Sequence, residues 1–152
     1  MTPTLSEGIA GLRQLAGQAL GASEWFEITQ ERVDRFAEAT LDDQWLHTDP
    51  ERAKDSPFGG TIAHGYLTLS LLPYLLSQVL QVRGVTGTLN YGLDKLRFPS
   101  PVKVGGRLRL RAEALAAEEV PGGVQLRFGC AVEIEGTEKP ALVAEVLYRY
   151  YA

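Results

Sequence analysis

From residue 124 to residue 135 the chain alternates without interruption. Val124, Leu126, Phe128, Cys130, Val132 and Ile134 fall on one side of an extended strand, and Gln125, Arg127, Gly129, Ala131, Glu133 and Glu135 fall on the other. A strand with one apolar face has to lay that face against a cover. The most apolar stretch, Ile62 to Leu80, is long enough to provide it as a helix. These two features together limit the chain to architectures in which a sheet packs by one face on a helix.

The neighbouring segments extend this pattern. Strand-like alternation also marks Gly87 to Phe98, Arg107 to Ala117 and Ala141 to Tyr151, with Pro121-Gly122-Gly123 and Glu138-Lys139-Pro140 as turns between them. A fifth strand is expected at Glu24 to Thr29. Helical spacing marks Leu5 to Leu20, closed by Gly21, and Gln30 to Thr40; Thr48-Asp49-Pro50-Glu51 carries start signals for a short helix from Asp49 to Lys54. The expected fold is α+β: one domain over 1–152, with an N-terminal helix at 5–20 and a five-stranded antiparallel sheet around a long central helix.

Composition excludes several classes. The 152 residues are 45% hydrophobic and 22% charged, with a net charge of −4, which argues against nucleic acid as a partner. Pro73, His64, Thr68, Ser70, Ser77 and Gln78 interrupt the apolar run, so it reads as a buried helix rather than a membrane span. The opening residues have no basic region ahead of an apolar core, and Cys130 is the only cysteine; a cytoplasmic protein without disulfides is expected. Ser70 and Ser77 lack the glycines of a nucleophile elbow, and Cys130 lies on an apolar strand face, so covalent catalysis is not expected. Lys95, Arg97, Lys103, Arg107, Arg109 and Arg111 alternate with leucines in part and read as a solvated strand face.

The densest cluster of reactive groups is Asp42-Asp43-Gln44-Trp45-Leu46-His47. Five residues of helix would rotate His47 roughly 140° away from Asp42, and five residues of strand would put the two on opposite faces. They meet only if the chain turns between them, with Trp45 and Leu46 as an apolar anchor. A carboxylate and an imidazole sharing a cleft can do acid–base work on one water. The alternative is a capped turn with an ordinary histidine, and spacing alone leaves both open.

The stretch Thr40 to Pro50 resembles the hydratase motif of the MaoC-like, (R)-specific enoyl-CoA hydratases of the hotdog superfamily. Asp42, Leu46 and His47 match that motif in order and spacing. Gln44 stands where asparagine is usual and Trp45 where proline is usual, a combination similar to the NodN-like branch. Phe58 to Leu67 resembles the segment leading into the family's central helix, and Asn90 to Leu93 and Arg97 to Val102 resemble the strand and turn beyond it.

The resemblance implies a hotdog fold, with the sheet wrapped around the helix and an acyl chain running beside it. It also implies reversible hydration of a trans-2-enoyl thioester to an (R)-3-hydroxyacyl thioester, carried on coenzyme A or acyl carrier protein, with Asp42 and His47 catalytic. The backbone N–H of Gly65 is the expected oxyanion donor; tight helix packing is the other reason for a glycine there. Gln44, His64, Tyr66, Asn90 and Tyr91 are expected to orient the site or line its pocket. No metal and no cofactor are expected, and a homodimer is. Two rivals stand beside this reading: a hotdog thioesterase, and a non-catalytic subunit that binds acyl thioesters.

Overall fold

The computed structural model describes residues 2–152. In chain order the elements are β1 (Thr4–Glu7), α1 (Gly8–Arg13), β2 (Ala19–Ala22), β3 (Phe26–Glu27), α2 (Gln30–Thr40), α3 (Trp45–Thr48), α4 (Pro50–Ala53), α5 (Gly65–Ser70) and α6 (Leu72–Val79). They continue with β4 (Leu80–Arg83), β5 (Gly87–Arg97), β6 (Arg107–Val120), β7 (Gly123–Ile134) and β8 (Leu142–Tyr151).

The main sheet runs β2-β6-β7-β8-β5, with β3 also on β6, and every pairing in it is antiparallel. β2 meets β6 at Arg111 to Glu113 and β3 meets it at Arg107 and Leu108, so β2 and β3 share one edge position in succession. The sheet thus has six strands in five positions, which accounts for the difference from the five expected. All six apolar positions of β7 from Val124 to Ile134 are buried. They face a core that includes Leu72, Leu75, Leu76 and Val79 of α6, and the sheet supplies the other wall through Leu108, Leu110, Val146 and Tyr148. On the opposite face Arg109 and Arg111 both reach Glu133, at 2.6 and 2.7 Å, and Arg109 lies 4.3 Å from the Trp25 ring centroid. That face carries charge outward. Burial pushes the Cys130 thiol up to about 12, which keeps it protonated and unreactive.

Two helical expectations are corrected. The segment expected as one helix over 5–20 is a strand, a helix of six residues and the start of a second strand. Gly8 (φ +65°) and Gly17 (φ +87°) adopt a backbone that a continuous helix does not contain. Gly21 sits at a bulge where the register of β2 on β6 shifts. Leu12 and Leu15 are buried as the helical pattern requires, but Leu5 belongs to β1, which pairs in parallel with β4, and is exposed.

The central helix begins at Gly65 rather than Ile62 and is divided at Leu71 into α5 and α6. Pro73 has no N–H for residue 69 and its ring crowds that carbonyl, so an unbroken helix cannot pass through it. Ile62 instead forms a bridge with Lys103.

α2 ends in a strained residue. Leu41 has φ +64°, in the left-handed region, and its side chain is 86% exposed, so no packing compensates the conformation. Leu41→Gly is therefore expected to raise the thermal unfolding midpoint by about 2–4 °C, equivalent to roughly 1 kcal/mol of relieved strain. Thermal denaturation followed by circular dichroism checks this, and an unchanged midpoint would mean that Leu41 carries no net strain.

Candidate active site

The left-handed turn at Leu41 reverses the chain out of α2, and the single turn of α3 follows at once. His47 N–H donates to the Gln44 carbonyl at 3.0 Å, and the Thr48 hydroxyl reaches the Asp43 and Gln44 carbonyls at 3.1 and 3.2 Å. These bonds close the turn that neither helix nor strand spacing would provide. Donor atoms of Asp42, His47 and His64 consequently all lie within 4.8 Å of one another.

Each histidine uses one ring nitrogen on the main chain. His47 Nδ1 donates to the Ile62 carbonyl at 2.7 Å. A carbonyl oxygen can only accept, so the proton of neutral His47 sits on Nδ1 and Nε2 keeps its lone pair. His64 Nε2 donates to the Asp42 carbonyl at 2.8 Å by the same logic. The two rings stack at 3.9 Å with 23° between their planes, and Phe36 packs 4.9 Å from the His64 ring. His64 is 97% buried, a consequence of this sandwich, and its Nδ1 has no protein partner.

The half-buried His47 opens on a cavity of about 330 Å³ lined also by Ile62, Gly65, Thr68, Phe98 and Val102. Gly65 begins α5 at the mouth of this space. A Cβ there would stand 3.1 Å from the Phe98 ring, close enough that the ring would have to give by a few tenths of an ångström. Thr68, one turn further on, is buried, with its hydroxyl unpartnered by protein groups.

The other expected residues are placed as follows. Gln44 is exposed; its carbonyl closes the α3 turn, and its side chain makes no hydrogen bond to a described residue. Trp45 and Leu46 are half-buried rather than fully covered, and the Arg52 guanidinium lies 4.3 Å from the Trp45 ring. Tyr66 is exposed and meets Phe98 edge-on. Asn90 and Tyr91 are not with His47: they line a separate cavity of about 450 Å³ between α6 and β5, where Arg149 covers the Tyr91 ring. Sequence reasoning missed Gln30, Thr61 and Phe98. Gln30 is the first residue of α2, and its amide donates to the His47 carbonyl at 2.8 Å. No periodicity or motif singles it out.

A curved antiparallel sheet around a central helix, with a carboxylate and an imidazole at the helix entrance, defines the MaoC-like class of the hotdog fold. The chain belongs to that family: the MaoC like domain matches residues 12–127. It is 51% identical over 147 residues to 3-hydroxyacyl-thioester dehydratase Z of Mycobacterium tuberculosis, covering 96% of this chain and 97% of that protein. It is 48% identical over 140 residues to nodulation protein N of Rhizobium leguminosarum bv. viciae, covering 90% and 86%. Among solved structures, the unliganded (R)-hydratase PhaJ1 of Pseudomonas aeruginosa superposes with a TM-score of 0.76 at 28% identity, covering 95% of this chain and 85% of that one.

The close approach of Gly65 and Phe98 has a measurable consequence. Gly65→Ala is expected to lower stability by no more than about 1 kcal/mol, because the exposed Phe98 ring can move and alanine favours the helix, and Phe98→Leu in the same chain to recover most of that loss. Denaturant unfolding of the single and double variants checks this coupling; additive effects would mean that the two residues do not press on each other.

Proposed function

We propose that this protein catalyses the reversible hydration of trans-2-enoyl thioesters to (R)-3-hydroxyacyl thioesters, with Asp42 and His47 acting on one shared water. The observation that carries the reading is the approach of the exposed Asp42 carboxylate to within 4.8 Å of the imidazole of His47, which itself lines the cavity and keeps its lone pair on Nε2. The names of the relatives support the same direction, since one is a 3-hydroxyacyl-thioester dehydratase and a structural neighbour is an (R)-hydratase.

In this mechanism the Asp42 carboxylate and His47 Nε2 accept the two hydrogens of a water and orient its oxygen toward C3 of the substrate. As that oxygen bonds to C3, one proton passes to the pair and the C2–C3 π electrons shift toward the carbonyl, giving an enolate. The pair then returns one proton to C2. Atoms balance as the addition of one water, and no electrons are exchanged, so the reaction requires no redox cofactor. Asp42 and His47 act as one coupled acid–base unit. The Gly65 N–H is the proposed donor to the enolate oxygen, and hydrogen-bond donors aimed at developing charge are effective in a water-poor pocket.

The acyl chain is proposed to extend past Thr68 along the central helix, carried on coenzyme A or acyl carrier protein. A homodimer completes this reading. β5 is a long edge strand with Leu89, Tyr91 and Leu93 exposed, the kind of edge that a second copy covers by strand pairing. Among the described residues no helix is long and apolar enough to cross a membrane, and we place the protein in the cytoplasm.

Asp42→Asn and His47→Gln are each expected to lower hydration of crotonyl-CoA at least 1000-fold, on the order of 4 kcal/mol in transition-state stabilisation, while the circular dichroism spectrum stays that of the parent. The assay follows loss of the enoyl absorbance together with free thiol. Wild-type rates in either variant would overturn the assignment, and thiol release in step with substrate loss would favour a thioesterase.

A further inference from the structure

We infer that Gln30 is a positioning residue for His47, and that it works by locking together the two chain segments on which the aim of the imidazole depends. One segment is the α3 turn, which carries the His47 backbone. The other is the stretch just before α5, whose Ile62 carbonyl holds the ring at Nδ1. If these two segments slide relative to each other, the ring rotates and Nε2 leaves the cavity. Two hydrogen bonds join them near the ring, one between main-chain groups, Ile62 N–H to the Leu46 carbonyl at 3.1 Å, and one from the His47 ring to the Ile62 carbonyl.

Gln30 stands outside both segments and bonds to each. Its Nε2 donates to the His47 carbonyl at 2.8 Å, and its Oε1 accepts from the Thr61 hydroxyl at 2.6 Å. Thr61 is the residue before Ile62 and is buried. A single planar amide therefore fixes the separation between the His47 backbone and the residue adjoining the ring's anchor. A third bond sets which way the amide faces. Gln30 Nε2 also donates to Asp34 Oδ1 at 2.9 Å, and a carboxylate oxygen can only accept from it. With both N–H groups committed to acceptors, Oε1 is left for the Thr61 hydroxyl. The clamp has one orientation and every strong group in it is paired.

Support of this kind, one bond removed from the reacting group, typically changes activity 10- to 100-fold without touching substrate. The inference rests on the proposed role of His47, so His47→Gln is measured alongside. Gln30→Met keeps the length of the side chain and removes all three bonds. Thr61→Val removes the hydroxyl at nearly constant shape, and Thr61→Ser restores it.

The expected result is that Gln30→Met and Thr61→Val each lower kcat for crotonyl-CoA hydration about 10- to 100-fold with KM changed less than about threefold. Thr61→Ser is expected to stay near the parent. In parallel, the imidazole ¹⁵N resonances of His47 are expected to move from the single Nδ1–H tautomer toward a mixture in the two damaging variants, a change that general loss of stability in a folded protein would not produce. Wild-type kcat and unmoved His47 resonances in folded Gln30→Met or Thr61→Val would overturn the inference, as would Thr61→Ser falling as far as Thr61→Val. If His47→Gln itself retains activity, the reading of the site fails instead, whatever Gln30 does.

Discussion

The alternation along β7 is the constraint on which the rest depends. Six consecutive inward positions are apolar and buried, and a sheet face of that kind is stable only when a second layer removes it from water. The layer is α6, whose Leu72, Leu75, Leu76 and Val79 all enter the same core. Once α6 is held there, α5 is held through Leu71, and the chain entering α5 runs beside the connection between β5 and β6. Ala63 N–H to the Val102 carbonyl and Val104 N–H to the Thr61 carbonyl fix that passage. The polar site is thus placed by apolar packing some distance away; the Ile62 carbonyl of this passage holds His47, and the Asp42 carbonyl of the turn after α2 holds His64.

The parts legible in the sequence are those where one local rule acts alone. The four strands β5 to β8 follow a period of two and are bounded by turn residues, whereas the short β4 before them leaves no such pattern, and α2 begins where Thr29 caps the Arg32 N–H. Residues 5–20 mislead because Leu12, Leu15 and Leu20 are all buried, as a helix would have it, while they lie in α1, the turn after it and β2 in succession. The division of the central helix was marked by Pro73, whose missing donor opposes a continuous helix; the weight of apolar residues around it hid that signal.

The candidate site was only half legible. Asp42 and His47 could be named from the motif, but their meeting depends on a leucine in a glycine-like conformation and on a one-turn helix too short to leave a period. Gln30 and Thr61 carry no pattern at all, since each makes its decisive bonds to residues far along the chain. Side chains that act by tertiary hydrogen bonding have no sequence spacing to betray them. The separation of Asn90 and Tyr91 from His47 has the same origin: strand order, not distance along the chain, decides which cavity a residue of β5 faces.

The tether between His47 Nδ1 and the Ile62 carbonyl bears on time as well as on geometry. An imidazole with two free nitrogens can take a proton at one and surrender it at the other, but it then has to turn over before the next cycle. Here one nitrogen is permanently engaged, so any proton that His47 takes up in the proposed mechanism must enter and leave at the same Nε2. The ring completes a turnover in the pose in which it began, ready to run the reaction in either direction without a conformational reset.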